Sequence, residues 1–306
     1  MSSPVYRNLF SMGTRLDIIF TGIDDEQADH VSTIIRLELG KLEDMISNYN
    51  EESQFSILNR KAAKQAVIVD DYILSLLNEL KELSEKTEGY YDFTLGGFKP
   101  SGSTGQQQNH DARDIIILPE GKGYRHVKTD TNEKTVSFTS EFIKIDSGGF
   151  GKGLALDVMK KILINREINS CFISFGESSV FAHGSHPYGE KWKTGIRNMF
   201  NDDESIFHFQ LKDEFLSVSG ITPENIKKYG AGHIINPFTG EAVNKYITSA
   251  VAGGNGLQTE VISTALLIAP SDTRDLIMDN FPGYKAVVIE YNEFKQPDIV
   301  YLKNNE

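Results

Sequence analysis

The stretch I145-D-S-G-G-F-G-K-G-L-A-L-D157 runs from apolar residues through four glycines and a lysine into a helical pattern. Glycines let a backbone approach a phosphate closely, and the first amides of a helix point at bound anions. Lys152 adds a positive charge at the same place. Two familiar phosphate loops fail on spacing. A P-loop needs glycine at 146 and serine or threonine at 153, where Asp146 and Gly153 stand. A dinucleotide fingerprint built on Gly149 and Gly151 needs glycine at 154, which is Leu154. A tight strand-to-helix turn whose glycines serve packing is the competing reading.

A second group lies in T259-E-V-I-S-T264. Residues four apart on a helix are offset by roughly 40°, so Glu260 and Thr264 share a face. With Ser263 beside them they form a set of hard oxygen donors suited to Mg²⁺. The flexible G253-G-N-G256 precedes them. The bland reading makes Glu260 an exposed first-turn charge favoured by the helix dipole, with Thr264 bonded back to its own helix. In A231-G-H-I-I-N-P-F-T-G240, His233 sits in a glycine-flanked loop, where imidazole can act as a base or hold a phosphate. His183 and His186 lack a nearby cysteine or second carboxylate to complete a metal site. No G-x-S-x-G elbow marks a nucleophilic serine. The single cysteine, Cys171, lies in a strand-like run and reads as a small buried hydrophobe.

The elements that must position these residues mix without strict strand–helix alternation. Strands are expected at 16–20, 142–145, 170–175, 193–197, 206–211, 215–219, 248–252, 285–291 and 298–302. The sequence D24-D-E-Q opens an amphipathic helix carrying Ala28, Val31, Ile34, Ile35, Leu39, Leu42 and Ile46. A second helix starts near Asp71 and stops at Gly89; others are expected at 154–165, 259–268 and from Asp272. The polar stretch between Pro100 and Asp111 reads as a mobile loop. This pattern predicts a mixed α/β (α+β) architecture rather than a doubly wound fold, with residues 1–306 as one two-lobed domain.

A net charge of −12 argues against nucleic acid or an anionic membrane as partner. No apolar run approaches the ~20 residues of a membrane span. The start MSSPVYRNLFSMGT lacks the marks of a signal peptide, so the expected location is cytoplasmic. A leader removed ahead of this start would instead make the protein periplasmic or membrane-anchored.

Taken in order, these segments resemble the FAD:protein FMN transferases, the ApbE family. S11-M-G-T14 is similar to the family's M-G-T, and the stretch from Ser47 to Asn59 to its S-x-Y-…-S-x-x-S-x-L-N. T87-E-G-Y-Y-D-F-T94 resembles T-x-G-x-F-D-x-T, and the glycine–lysine stretch resembles D-x-x-x-x-x-K-G. W192-K-T-G-I196, G232-H-I-I-N-P-F-T-G240 and E260-V-I-S-T264 resemble W-x-x-G-I, H-x-x-D-P-x-T-G and D-x-x-x-T. The resemblance spans about residues 11 to 270.

It implies a tunnelling-fold-related domain with FAD in a cleft between lobes. It implies FAD contacts from Met12, Tyr49, Tyr90, Tyr91, Asp92, Asp146, Lys152, His233 and Ile234. It implies Mg²⁺ held by the Gly149 carbonyl with Glu260, Ser263 and Thr264. The implied reaction is Mg²⁺-dependent transfer of FMN from FAD to a threonine or serine of an acceptor protein, releasing AMP. Lys152 and His233 are then the candidate catalytic residues, His233 as base unless a carboxylate serves instead. The chain departs from the family at Glu260, where aspartate is expected, at V218-S-G220 in place of T-S-G, and at G176-E177 in place of paired glycine. Those departures keep two alternatives open: a catalytically weak flavin carrier or sensor, and an FAD pyrophosphatase giving FMN and AMP.

Overall fold

The computed structural model describes residues 3–96, 122–229 and 232–302. Its centre is an eight-stranded sheet. The strands are β1 (Val5–Ser11), β2 (Thr14–Phe20), β6 (Cys171–Phe175), β7 (Ser179–His183), β10 (Glu214–Ile221), β11 (Ile247–Gly253), β12 (Lys285–Tyr291) and β13 (Pro297–Tyr301), in that order. Every pairing in it is antiparallel. The chain is α+β, as its element pattern predicts.

Helices α1 (Asp25–Ile46), α4 (Gly151–Asn165) and α6 (Gly256–Ile268) belong to the larger core, which takes Phe181, Phe215, Val251 and Val288 from the sheet. The alternate residues Val180, Leu216, Ala250 and Val287 point the other way. There they meet Trp192, Ile196, Phe209 and Leu211 from a hairpin of β8 (Trp192–Asn198) and β9 (Asn201–Leu211). The two-residue period of a strand thus builds two cores from one sheet. All seven residues of β11 are buried because both faces are covered.

Local signals explain most boundaries. Asp24 caps α1 in a reciprocal box with Gln27, as D24-D-E-Q suggests. Helix α3 (Asp71–Lys86) is capped by Asp70, and its Leu76, Leu77, Leu80 and Leu83 are buried. Helix α6 starts at Gly256, earlier than the expected Thr259, because Asn255 accepts from the Gln258 amide. Helix α7 (Ser271–Asp279) follows Pro270. A small sheet of β3 (Val67–Ile68), β5 (Thr135–Phe138) and β4 (Val127–Asp130), short helices α2 (Gln54–Lys61) and α5 (Pro223–Tyr229), and a 3-10 turn at Gly123–His126 complete the described elements.

The strand expected at 142–145 is a correction. There Lys144 makes an isolated parallel bridge to Leu95, with Gly96 N donating to Lys144 O (2.9 Å) and Asp146 N to Phe93 O (2.9 Å). Its partner is a short turn segment, so no ladder extends. The loop expected between Pro100 and Asp111 lies outside the described residues. Among the described residues no helix is long and apolar enough to cross a membrane.

Candidate active site

The site begins with two helices whose first turns nearly touch. A Cβ on Gly153 of α4 would lie 2.1 Å from the Gly256 carbonyl oxygen, and one on Gly256 would lie 2.4 Å from the Gly153 oxygen. Asp157, one turn further along α4, accepts from the Gly256 and Leu257 amides, both at 2.8 Å. Burial pushes the Asp157 carboxyl up, and those two amides pull it back. For Gly153, then, the packing reading of the glycine turn holds.

This juxtaposition brings Lys152 and Glu260 together. Lys152 Nζ lies 3.6 Å from Glu260 Oε1 and donates to Ser178 Oγ at 2.6 Å. The Ser179 hydroxyl donates to Glu260 Oε1. Glu260 is 4 % exposed. The expectation of an exposed first-turn glutamate is therefore corrected: the close approach of α4 covers it, and burial demands the partners it has.

Behind Glu260 lies a set of hydroxyls. Ser263 Oγ is 3.0 Å from Ser217 Oγ and 2.9 Å from Ser219 Oγ, and it donates to Glu260 O at 3.1 Å. Ser219 Oγ is 3.4 Å from Thr264 Oγ1. Thr264 and Glu260 line a cavity of about 1060 Å³, as do Ser217 and Ser219; Ser263 is fully buried behind that wall.

Tyr90, Tyr91, Asp92, Asp146, Gly149, Lys152, His233 and Ile234 also line the cavity. The Tyr90 ring lies 4.8 Å from that of Phe238. Asp92 is buried and structural in its bonding: Oδ1 accepts from the Thr94 amide (2.9 Å) and hydroxyl (2.5 Å), and Oδ2 from the Tyr124 amide (3.2 Å). Burial pushes its carboxyl up to about 6 against those bonds. Asp146 Oδ1 accepts from Gly148 N (2.8 Å) and Asn48 Nδ2 (3.2 Å), closing the glycine turn. Burial, then the nearby Lys152 charge, lowers the His233 pKa, so its imidazole is neutral at neutral pH.

Met12 and Tyr49 do not line the cavity. Tyr49 is 99 % exposed. Met12 turns the β1–β2 connection at φ 48°, and its amide donates to the Glu43 carboxylate. Its sulfur would lie 3.8 Å from a Cβ on Gly151, so it flanks the glycine turn from outside.

Two departures from the family pattern acquire a geometry. Glu177 holds φ 60°, the left-handed region that glycine adopts without cost, and pairs with Arg197 at 3.8 Å on the cavity rim. Val218 lines the wall between Ser217 and Ser219. Sequence reasoning missed Ser178, Ser179 and Ser219. The adjacent serines after G176-E177, and the alternation S217-V-S219, were the available signals.

The donors around Glu260 are oxygens. Among the described residues, no three histidine, cysteine, aspartate or glutamate side chains gather around a metal position. One buried carboxylate and a threonine hydroxyl on a cavity wall that Gly149 also lines fit Mg²⁺ by chemical type and do not fit a softer metal.

Solved structures with this fold include flavin transferases. The chain superposes on the flavin transferase ApbE from Vibrio cholerae with a TM-score of 0.81 at 20% identity, covering 98% of this chain and 97% of that one. It superposes on an ApbE protein from Thermotoga maritima with a TM-score of 0.79 at 22% identity, covering 98% and 97%. The chain belongs to the ApbE family, whose model matches residues 12–288. In sequence it is 25% identical over 276 residues to the FAD:protein FMN transferase of Vibrio cholerae serotype O1, covering 84% of this chain and 79% of that protein. It is 26% identical over 236 residues to that of Buchnera aphidicola, covering 73% and 68%.

Proposed function

We propose that this chain is an FAD:protein FMN transferase that uses Mg²⁺ to move FMN from FAD onto a threonine or serine hydroxyl of an acceptor protein, with residues 1–306 acting as one domain. The observation that carries the reading is the Lys152–Glu260 pair, 3.6 Å apart on the wall of a roughly 1060 Å³ cavity. A lysine at a helix start beside a glycine turn is suited to a phosphate. The pair is neutral as a unit, so a doubly charged pyrophosphate placed there calls for a divalent cation. Glu260, Thr264 and the Gly149 carbonyl are the residues that would hold it, with Ser263 setting the hydroxyl network behind them. Bound Mg²⁺ would supply charge neutralisation at the pyrophosphate.

In this reading Tyr90, Tyr91, Asp146, Lys152 and Ile234 bind FAD along the cavity. Asp92 holds the tyrosine turn in shape, and Met12 and Tyr49 reach the flavin from outside the glycine turn. The acceptor hydroxyl attacks the FMN phosphorus, a new P–O bond forms, and the bond to AMP breaks. His233, on the cavity wall with its pKa lowered by desolvation and the Lys152 charge, accepts the hydroxyl proton. Lys152 stabilises the charge that develops on the phosphoryl oxygens.

Incubation with FAD and Mg²⁺, with and without a threonine-bearing acceptor, tests the proposal. AMP released only with acceptor, together with a flavin-labelled acceptor, is the expected result. AMP and FMN formed without acceptor would make the protein a pyrophosphatase, and FAD binding without turnover would make it a carrier or sensor.

A further inference from the structure

The turn from Thr87 to Thr94 follows the family pattern T-x-G-x-F-D-x-T except that Tyr91 stands at the phenylalanine. The added group is a phenolic hydroxyl. Tyr91 is 3 % exposed and its ring borders the cavity. Its hydroxyl is buried with no hydrogen-bond partner among the described residues. A buried hydroxyl left without a partner costs stability, which makes its retention here a reason to look for a ligand that satisfies it.

Its neighbours say what kind of ligand. A Cβ on Gly149 would lie 3.3 Å from Tyr91 Cε2 and 3.8 Å from the phenolic oxygen, so the hydroxyl sits against the glycine turn. Burial, then the charges of Glu260, Asp146 and Asp92, holds the phenol well above its ordinary pKa. A phenol is in any case protonated at physiological pH, and a hydroxyl set against the glycine turn can donate to an acceptor oxygen placed there. The same chain has Val218 where the family pattern carries a threonine, so the cavity loses one hydroxyl on β10 and gains one at the tyrosine turn.

We propose that the Tyr91 hydroxyl donates a hydrogen bond to a phosphoryl oxygen of the bound dinucleotide, making Tyr91 a specificity-determining residue that this chain adds to its family's site. The proposal rests on the flavin-dinucleotide reading above. It separates the phosphate-bearing ligand from the bare flavin, because riboflavin carries no phosphoryl oxygen.

Tyr91→Phe is isosteric and tests it directly. Calorimetric titration in Mg²⁺ buffer should show FAD affinity reduced about tenfold or more, the loss of one hydrogen bond to a charged oxygen, with riboflavin affinity unchanged. Without ligand, the variant should melt at the same temperature or higher, since an unsatisfied hydroxyl has been removed. Unchanged FAD affinity overturns the proposal, as does an equal loss for FAD and riboflavin. So does a melting temperature lowered by several degrees, which would mean that the hydroxyl serves the fold. Failure of the parent protein to bind FAD at all is a different result: it removes the flavin reading itself, and this inference with it.

Discussion

Two regions border the glycine turn, and they are built to different degrees. On the α4–α6 side, Glu260 is 4 % exposed, bonded to Ser179 and set beside Lys152, with a layer of serine hydroxyls behind it. On the side of the β1–β2 connection and the loop after α1, Met12 lies outside the cavity wall and Tyr49 stands 99 % exposed. Both were expected to touch the same ligand. In the proposed function, the difference follows from the interactions each side would offer. Charges that stabilise a breaking phosphate bond must be fixed beforehand in a dry place, because reorganising them costs what they would contribute. Stacking on a flat apolar ring is less directional, so its parts can come together as the ligand arrives.

The strongest way to break this contrast is Gly153→Ala. The new Cβ would fall 2.1 Å from backbone oxygen, which no side-chain rotation relieves. The expected cost is roughly 4 kcal/mol or more of folding stability, measured by urea unfolding. A loss under about 1 kcal/mol would show that the two helix starts have room to part, and the prebuilt side would not be rigid.

A smaller effect comes from Asp92. Burial pushes its carboxyl up to about 6 in the folded protein, against an ordinary aspartate value of 3.8. Between about pH 4 and 6 the folded protein therefore holds a proton that the unfolded chain has released. The contribution to stability is fully present below pH 4 and is lost as pH rises through 6, by roughly 3 kcal/mol across the window. A carboxyl-carbon NMR titration of Asp92 with its midpoint near 6 is expected. A midpoint near 3.8 would mean that the tyrosine turn is wet.

The smallest change is predicted for the open side. Tyr49→Ala should leave stability within about 0.5 kcal/mol, because the side chain touches little. FAD affinity should fall by about 0.5–1.5 kcal/mol, up to roughly tenfold, as one aromatic contact is lost. Calorimetry reads both parent and variant. An unchanged affinity would leave Tyr49 outside the ligand's reach and would turn the contrast into a simple absence of contact.

Much of the fold was legible because its signals are local. The capping box at Asp24, the leucine stripe of α3 and the proline at 270 fall where the elements begin or end. Strands β1 and β7, and the short β3, β4 and β5, were not read. In β1 the exposed Tyr6 and Phe10 blur the alternation, and β7 is buried at four of five positions, which hides its period. At the site, Lys152, Glu260 and Thr264 stood out by residue type. What the sequence could not reveal was the burial of Glu260 and the serines around it. Those depend on α4 lying against α6 and on β7 and β10 passing beneath, contacts between residues from 44 to about 110 positions apart in the chain.

The Gly153–Gly256 approach also changes what the letters K-G in such a motif record. Lysine and glycine sit side by side in the text, yet they answer to different tests: the first to the ligand's charge, the second to the thickness of a neighbouring helix. A substitution at Lys152 can be screened out for lost chemistry while the protein still folds. A substitution at Gly153 is screened out before any chemistry is tried. Because its opposite number is also glycine, no smaller residue exists to compensate across the gap. The first letter therefore records a function, and the second a clearance.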